Sequence, residues 1–459
     1  MNMIRTLVVS TTLTFTLSVA VQAWPGESQL LTKPADFPAY PLKASDNGRY
    51  LVDQNETPTM LLGDSPHSLF VNLSPHQADM YFANRASYGI NALWVEVLCN
   101  TYTGGRSDGS TYDGIIPFTT PGDMSTPNPA YFRRVDQMVR LAANHGIQIV
   151  MDAFETAGWM PVLEQNGMQK ASRYGKYLGN RYKNFNNIIW ITGNDFQTWN
   201  TSSTDNHLIA ALMQGIASAD PNHLQTTELN YLVSGSLDDA LLVPYTTLAG
   251  AYTYYPTYAE VLHEYNAANF VPVFMEEANY EFEDNTGMDY GDPETLRRQE
   301  YWTMLSGATG QLYGNHYTWT FDSGWQQNLN TPGITQLQYM KDFFSGLEWW
   351  NLVPDQTHTL VIAGYGTFSD SGSIHDNDYV TAARVPDGSL ALAYCPTSTT
   401  ITVDMTQMRG PTCASWFDPS AGTSVVIDCY GQNVATVDFT TPNNNAEGDP
   451  DWVLVLESQ

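Results

Sequence analysis

Between residues 59 and 345 the chain alternates eight short apolar runs with longer amphipathic stretches, and nothing else in it restricts the fold so tightly. The runs are Thr59–Gly63, Ala92–Val97, Ile147–Met151, Ile188–Thr192, Leu224–Leu229, Leu248–Tyr252, Val271–Met275 and Gln311–Gly314. Between them lie helical patterns such as Tyr131–His145 and Leu296–Ser306. In the first, Tyr131, Val135, Met138, Val139 and Ala142 recur every three or four residues and form one apolar stripe. Asn144-His145-Gly146 supplies its stop signal. Apolar strands alternating with helices are parallel strands buried on both faces. Eight such units in this length match a (β/α)8 TIM barrel. The competing open doubly wound sheet lacks its Gly-x-Gly-x-x-Gly after the first strand.

After Trp349-Trp350 the period shortens to about two. Short strands at His358–Ala363, Tyr379–Val385, Leu390–Tyr394, Thr400–Asp404, Ser424–Asp428 and Trp452–Leu456 are separated by turn formers such as Pro386-Asp387-Gly388. This predicts a C-terminal antiparallel β-sandwich. The expected division is a leader over 1–23, a barrel over 24–350 and the sandwich over 351–459. The leader reading rests on Arg5, the short uncharged stretch Leu7 to Val21, and the small residue Ala23 before a cut. A membrane span needs about 20 apolar residues, and no later segment offers them. A secreted or periplasmic location is therefore expected.

Acidic residues number 48 against 19 Lys plus Arg, a net charge of −29. Such a chain repels phosphate backbones, so no nucleic-acid partner is expected. Of the four cysteines, Cys413 and Cys429 can bridge in an oxidising compartment, or those two can stay as free buried thiols. His-Glu-x-x-His, a Gly-x-Ser-x-Gly elbow and a Gly-Lys-Ser/Thr phosphate loop are all absent, so neither a metal nor a cofactor is expected.

A barrel enzyme carries its site at the C-terminal ends of its strands. There the chain offers Asp64 and His67 after the first run, Trp94 and Glu96 on the second, and Asp152 near the end of the third. Asn194 and Asp195 follow the fourth, Glu228 ends the fifth, and Tyr252, Tyr254 and Tyr255 close the sixth. Glu276 and Glu277 follow the seventh, and His316 and Trp319 the eighth. Glycosidic bonds are cleaved by two carboxyl groups, about 5–5.5 Å apart in retaining enzymes and 6.5–9.5 Å in inverting ones. The fourth and seventh strands face each other across a barrel mouth, so Asp195 and one of the two glutamates can converge on one bond. Asp195 then needs a raised pKa to donate a proton, while its partner stays ionised. Only one of Glu276 and Glu277 can face the mouth, and alternation leaves the choice open. Trp94, Trp159, Trp199, Tyr252, Tyr254, Tyr255, Trp319 and Trp325 are candidate stacking surfaces for sugar rings.

Tyr50-Leu51-Val52-Asp53, Met60 to Ser65, Arg85 to Asn91, Asn187 to Asp195, Glu277-Ala278-Asn279-Tyr280-Glu281 and Tyr313-Gly314-Asn315-His316 resemble the apiosidase-like glycoside hydrolases. Trp349 to Asp355, Ser415 to Pro419 and Asp451 to Leu456 resemble the module labelled collagen-binding that usually follows that barrel. The resemblance implies Asp195 as acid/base and Glu277 as nucleophile, with Asp64 kept to bind substrate hydroxyls at the mouth. From their positions at the strand ends, His67, Trp94, Asn194, Tyr252, Tyr254, His316 and Trp319 are further expected contacts for a carbohydrate substrate. The chain departs from the pattern at His67, where many relatives carry Trp, and at Asn194, where Gly is common. The expectation is a secreted glycoside hydrolase, retaining and exo-acting, on a plant or algal polysaccharide or its side chains. The alternative is a catalytically silent adhesion protein that binds glycan or collagen.

Overall fold

The computed structural model describes residues 37–432 and 434–459; the expected leader over 1–23 lies outside the described residues. Strands β1 (Leu61–Asp64), β2 (Ala92–Glu96), β3 (Gln148–Glu155) and β4 (Ile188–Gly193) pair in parallel, as do β6 (Ala249–Thr253), β7 (Val273–Glu277) and β8 (Gly310–Tyr313). β8 pairs with β1 and joins the two sets. The intervening β5 (Val233–Gly235) runs antiparallel to β6.

The expected strand Leu224–Leu229 is not a regular one. It joins β4 by a single parallel bridge, Trp190 to Gln225, and by backbone bonds on either side of it. Its other edge is held by the Thr247 amide, which donates to the Gln225 carbonyl oxygen at 2.8 Å, and by side chains. Ser236 Oγ donates to the Thr227 carbonyl oxygen, and Gln225 N donates to Thr247 Oγ1. Hydroxyls here do work that a ladder of N–H groups does elsewhere, and the segment still completes the ring. Inside it Leu61, Trp94, Val150, Ile189, Ile191, Leu224, Leu248, Phe274 and Leu312 pack as a filled core.

Around the ring lie α1 (Pro75–Ser87), α2 (Pro129–Asn144), α3 (Thr156–Tyr182, kinked at Gly167), α4 (Ser203–Ala219), α5 (Thr257–Tyr265), α6 (Pro293–Leu305) and α7 (Pro332–Ser345). α2 follows its sequence pattern. Asn128 caps it, Pro129 opens it, its stripe is buried, and Gly146 follows at φ +73°. α6 differs, since every residue from Thr295 to Leu305 is buried. A helix covered on all sides has two partners, and the second is the C-terminal module.

That module is antiparallel throughout. One sheet has six strands: β9 (Val353–Pro354), β11 (Thr381–Arg384), β12 (Leu390–Cys395), β17 (Trp452–Ser458), β14 (Thr412–Asp418) and β15 (Thr423–Tyr430), in that order. The other has three, β10 (Val361–Ala363), β13 (Thr400–Asp404) and β16 (Thr436–Thr440). Alternate residues of the larger sheet face opposite ways. Ala391, Ala393, Leu454 and Leu456 fill the sandwich. Leu390, Leu392, Tyr394, Val453 and Val455 belong instead to the core that includes Tyr301, Trp302 and Phe344 of the barrel helices. Arg297 and Arg298 of α6 fasten this seam. Arg297 bonds Asp451 twice, at 2.8 and 3.0 Å, and also Asp449 and Gln336. Arg298 donates to the carbonyls of Ile374, His375, Asn377 and Pro396. Cys413 and Cys429 are opposite each other on β14 and β15 and form a disulfide, while Cys99 and Cys395 are free and buried.

Candidate active site

At the end of β4 the chain turns through three consecutive residues of positive φ: Gly193 at +145°, Asn194 at +69° and Asp195 at +48°. A Cβ at position 193 would overlap the Glu228 carbonyl oxygen, so that position requires glycine. Asn and Asp are the side-chain-bearing residues that tolerate the left-handed region best. Thr156 Oγ1 donates to the carbonyls of Gly193 and Asn194, and the Asp195 amide donates to Glu228 Oε2 at 2.7 Å. Local strain of this kind persists only where neighbours hold it. Here it aims the Asp195 side chain into a cavity of about 500 Å³.

Glu277, the last residue of β7, lines the same cavity. Glu276 points the other way, fully buried, with both carboxyl oxygens lacking a hydrogen-bond partner. Asp195 and Glu277 are each held by two tyrosine hydroxyls. Asp195 accepts from Tyr102 and, at 2.8 Å, from Tyr252. Glu277 accepts from Tyr254 at 2.5 Å and Tyr280 at 2.8 Å. Tyr252 and Tyr254 themselves meet at 3.4 Å. A chain of three contacts therefore ties one carboxyl to the other and limits how far apart they stand.

Behind Glu277 the network continues. Tyr280 gives its proton to Glu277, so its oxygen accepts from His67 Nε2 at 3.0 Å. Burial pushes the His67 imidazole down to about 3 and keeps it neutral. Its Nδ1 is then bare and accepts from Asn194 Nδ2 at 3.3 Å, whose amide also donates to Glu96 Oε1 at 3.1 Å. Asn194 thus orients His67, which orients Tyr280, which orients Glu277.

Burial pushes the Asp195 carboxyl up from its ordinary range against the pull of its two tyrosines. The strand 7 carboxyl is shifted as well, so the two acids titrate as a pair rather than being set apart by their surroundings. Burial, and then the nearby Asp195, push Glu277 up to about 8. Two charges in one desolvated site repel strongly, so near neutral pH the pair holds one proton between them.

The other sequence candidates are distributed unevenly. Asn194, His67, Tyr254 and Trp319 line the cavity, and Tyr252 reaches it through Asp195. Asp64 does not line it. It is fully buried at the end of β1, where Arg85 Nε and the Tyr81 hydroxyl each approach Oδ2 at 2.5 Å. Trp94 is likewise sealed in the ring interior, edge-on to His67. His316 stands behind the wall and, with Trp319 Nε1, bonds Glu283 Oε1. Trp159 and Trp325 are buried against other aromatics. Sequence reasoning missed Gln197, Asn230, Tyr231, Glu283 and Asn285 in the lining. Tyr102 belongs to the Gly- and Tyr-rich loop after β2, whose composition was its signal.

The sequence matches a family model described as "Apiosidase-like, catalytic domain" over residues 45–351. The chain belongs to the apiosidase-like family. Residues 368–457 match a model described as "Putative collagen-binding domain of a collagenase". Among solved structures, one titled "Glycoside hydrolase" is 23% identical, with a TM-score of 0.77 and coverage of 91% of this chain and 97% of its own. A family 5 glycoside hydrolase from Bacteroides vulgatus is 22% identical, with a TM-score of 0.75 and coverage of 91% and 93%. At that identity the likeness speaks to the fold, and it spans barrel and sandwich together. No curated protein matches the sequence. Membership of this family supports a glycosidase.

Proposed function

We propose that the protein is an exported, retaining glycosidase that removes neutral sugars from the ends or side chains of plant or algal polysaccharides. Asp195 is its acid/base and Glu277 its nucleophile. One observation carries this reading: both carboxyls open on one cavity, each fixed by two tyrosine hydroxyls and linked through Tyr252 and Tyr254. The one proton of the pair sits on Asp195 when it meets the glycosidic oxygen. Glu277 attacks the anomeric carbon as that oxygen leaves with the proton. Asp195, now a base, takes a proton from water, whose oxygen displaces Glu277.

The lining carries Asp195, Glu277 and Glu283 and, among the described residues, no Lys or Arg. A uronate or sulfated ring would meet only negative charge there, which favours a neutral glycosyl residue. Tyr102 and Tyr231, both about two-fifths exposed, and Trp319 offer faces for the C–H sides of sugar rings. A cavity of this volume suits a chain end better than a long strand. Export is supported by the leader-like 1–23 sequence and by the Cys413–Cys429 bridge.

The test is release of sugars from a panel of pectic, hemicellulosic and algal glycans, with the product anomer followed by NMR during turnover. Asp195→Asn and Glu277→Gln should each lower kcat at least about a thousandfold with the fold intact. Full activity in either variant, or an inverted first product, rejects the assignment.

A further inference from the structure

On the outer side of the β6–β7 wall lies a second group of acids. Asp238, in the turn after β5, is held by Gly235, whose amide donates to Asp238 Oδ2 at 2.9 Å. Its Oδ1 lies 2.8 Å from His263 Nε2 on α5. Glu260, one helical turn earlier, completes a set of three donor atoms that all lie within 4.8 Å of one another. Glu260 is 8% exposed, and its Oε1 is buried with no hydrogen-bond partner. Glu264, on the next turn, is fully buried; its Oε2 accepts from the Leu237 amide, and its Oε1 has no partner. Glu276 lies close behind with both oxygens unpartnered. Buried acceptor oxygens without donors are costly, and Glu260 carries one beside the imidazole of His263.

We propose that Asp238, Glu260 and His263 bind a divalent cation of the borderline class, represented by Zn2+. The donor set gives the class. Imidazole with carboxylate suits Zn2+ and its neighbours, whereas Ca2+ and Mg2+ take oxygen ligands. A Zn2+ ion 2.0–2.2 Å from each donor in tetrahedral array needs the donors roughly 3.3–3.6 Å apart. The 4.8 Å envelope accommodates that once the His263–Asp238 bond opens by about half an ångström. The ion gives the Glu260 carboxylate a partner, and water takes the fourth position. Asp238, His263 and Glu264 line a surface cavity of about 830 Å³, which provides the entry path. Bound there, the ion clamps the turn after β5 to α5, a role independent of the glycosidase site.

The test uses the full chain without a polyhistidine tag, stripped with a chelator and titrated calorimetrically with Zn2+ alone, then with Ca2+ or Mg2+. One equivalent of Zn2+ should bind with a Kd in the micromolar range or tighter, and Zn2+ should raise Tm. His263→Ala and Glu260→Gln should each weaken uptake at least tenfold and abolish the Tm shift. The His263 side chain is more than half exposed, so its removal leaves the fold in place. Absence of stoichiometric Zn2+ uptake, wild-type uptake in both variants, or equal affinity for Ca2+ overturns the proposal.

Discussion

Arg297 offers the sharpest test of how barrel and sandwich are joined. Its side chain is fully buried, forks onto Asp451 and reaches Asp449 and Gln336. Arg297→Met keeps the volume but leaves the buried Asp451 carboxylate with only Asn445, at 2.7 Å, and Tyr394, at 3.2 Å. Breaking one side of a buried pair costs about 3–5 kcal/mol. An unfolding entropy of about 2.1 cal/mol/K per residue, over the roughly 420 residues from Pro38 to Gln459, comes to about 0.9 kcal/mol per kelvin. The expected fall in Tm is therefore about 3–6 K, read by differential scanning calorimetry. Arg297→Met with Asp451→Leu removes both charges and should recover most of that loss. A fall below about 1 K in the single variant, or no recovery in the double, refutes the argument.

Three further outcomes follow from the cavity. Tyr280→Phe deletes a hydrogen bond to a carboxylate, worth about 1.5–3 kcal/mol, so kcat/KM should fall about ten- to a hundredfold. The same change removes a donor that lowers the Glu277 pKa, so the alkaline limb of the rate profile should move up; an unchanged profile counts against the network. In the wild type the last proton of the carboxyl pair leaves as pH rises through about 8, so activity should be lost above that value and retained below it; a rate that holds to pH 10 contradicts this. Gly193→Ala places a Cβ against Glu228 and shifts Asp195, which should cost about a hundredfold in kcat; normal turnover would show that the turn does not aim the acid.

The strands and the sandwich were legible because apolar periodicity follows directly from burial. Seven of the eight runs are strands of the ring. Leu224–Leu229 differs in that part of its pairing runs through the hydroxyls of Ser236 and Thr247, and a hydrophobic pattern does not register such bonds. Asp195 and the Glu276–Glu277 pair stood out because they close strands 4 and 7; alternation left the two glutamates open, and only the resemblance pointed to Glu277. Asp64 also ends a strand, yet it turns inward to Arg85, 21 residues later. Sequence spacing does not reveal that an acid has found a buried cation. Tyr231, Glu283 and Asn285 sit on loops whose paths have no period to read. Tyr252, Tyr254 and Tyr280 stood out in the sequence, but that their hydroxyls bond the two carboxyls follows only from the structure.

The six-stranded sheet is greasy on both sides, and that makes the module a poor candidate for independent life. Cut away from its neighbour, it would present Leu390, Leu392, Tyr394, Val453 and Val455 to water as a continuous sticky wall. Barrel and module should therefore unfold in one step rather than as separate pieces.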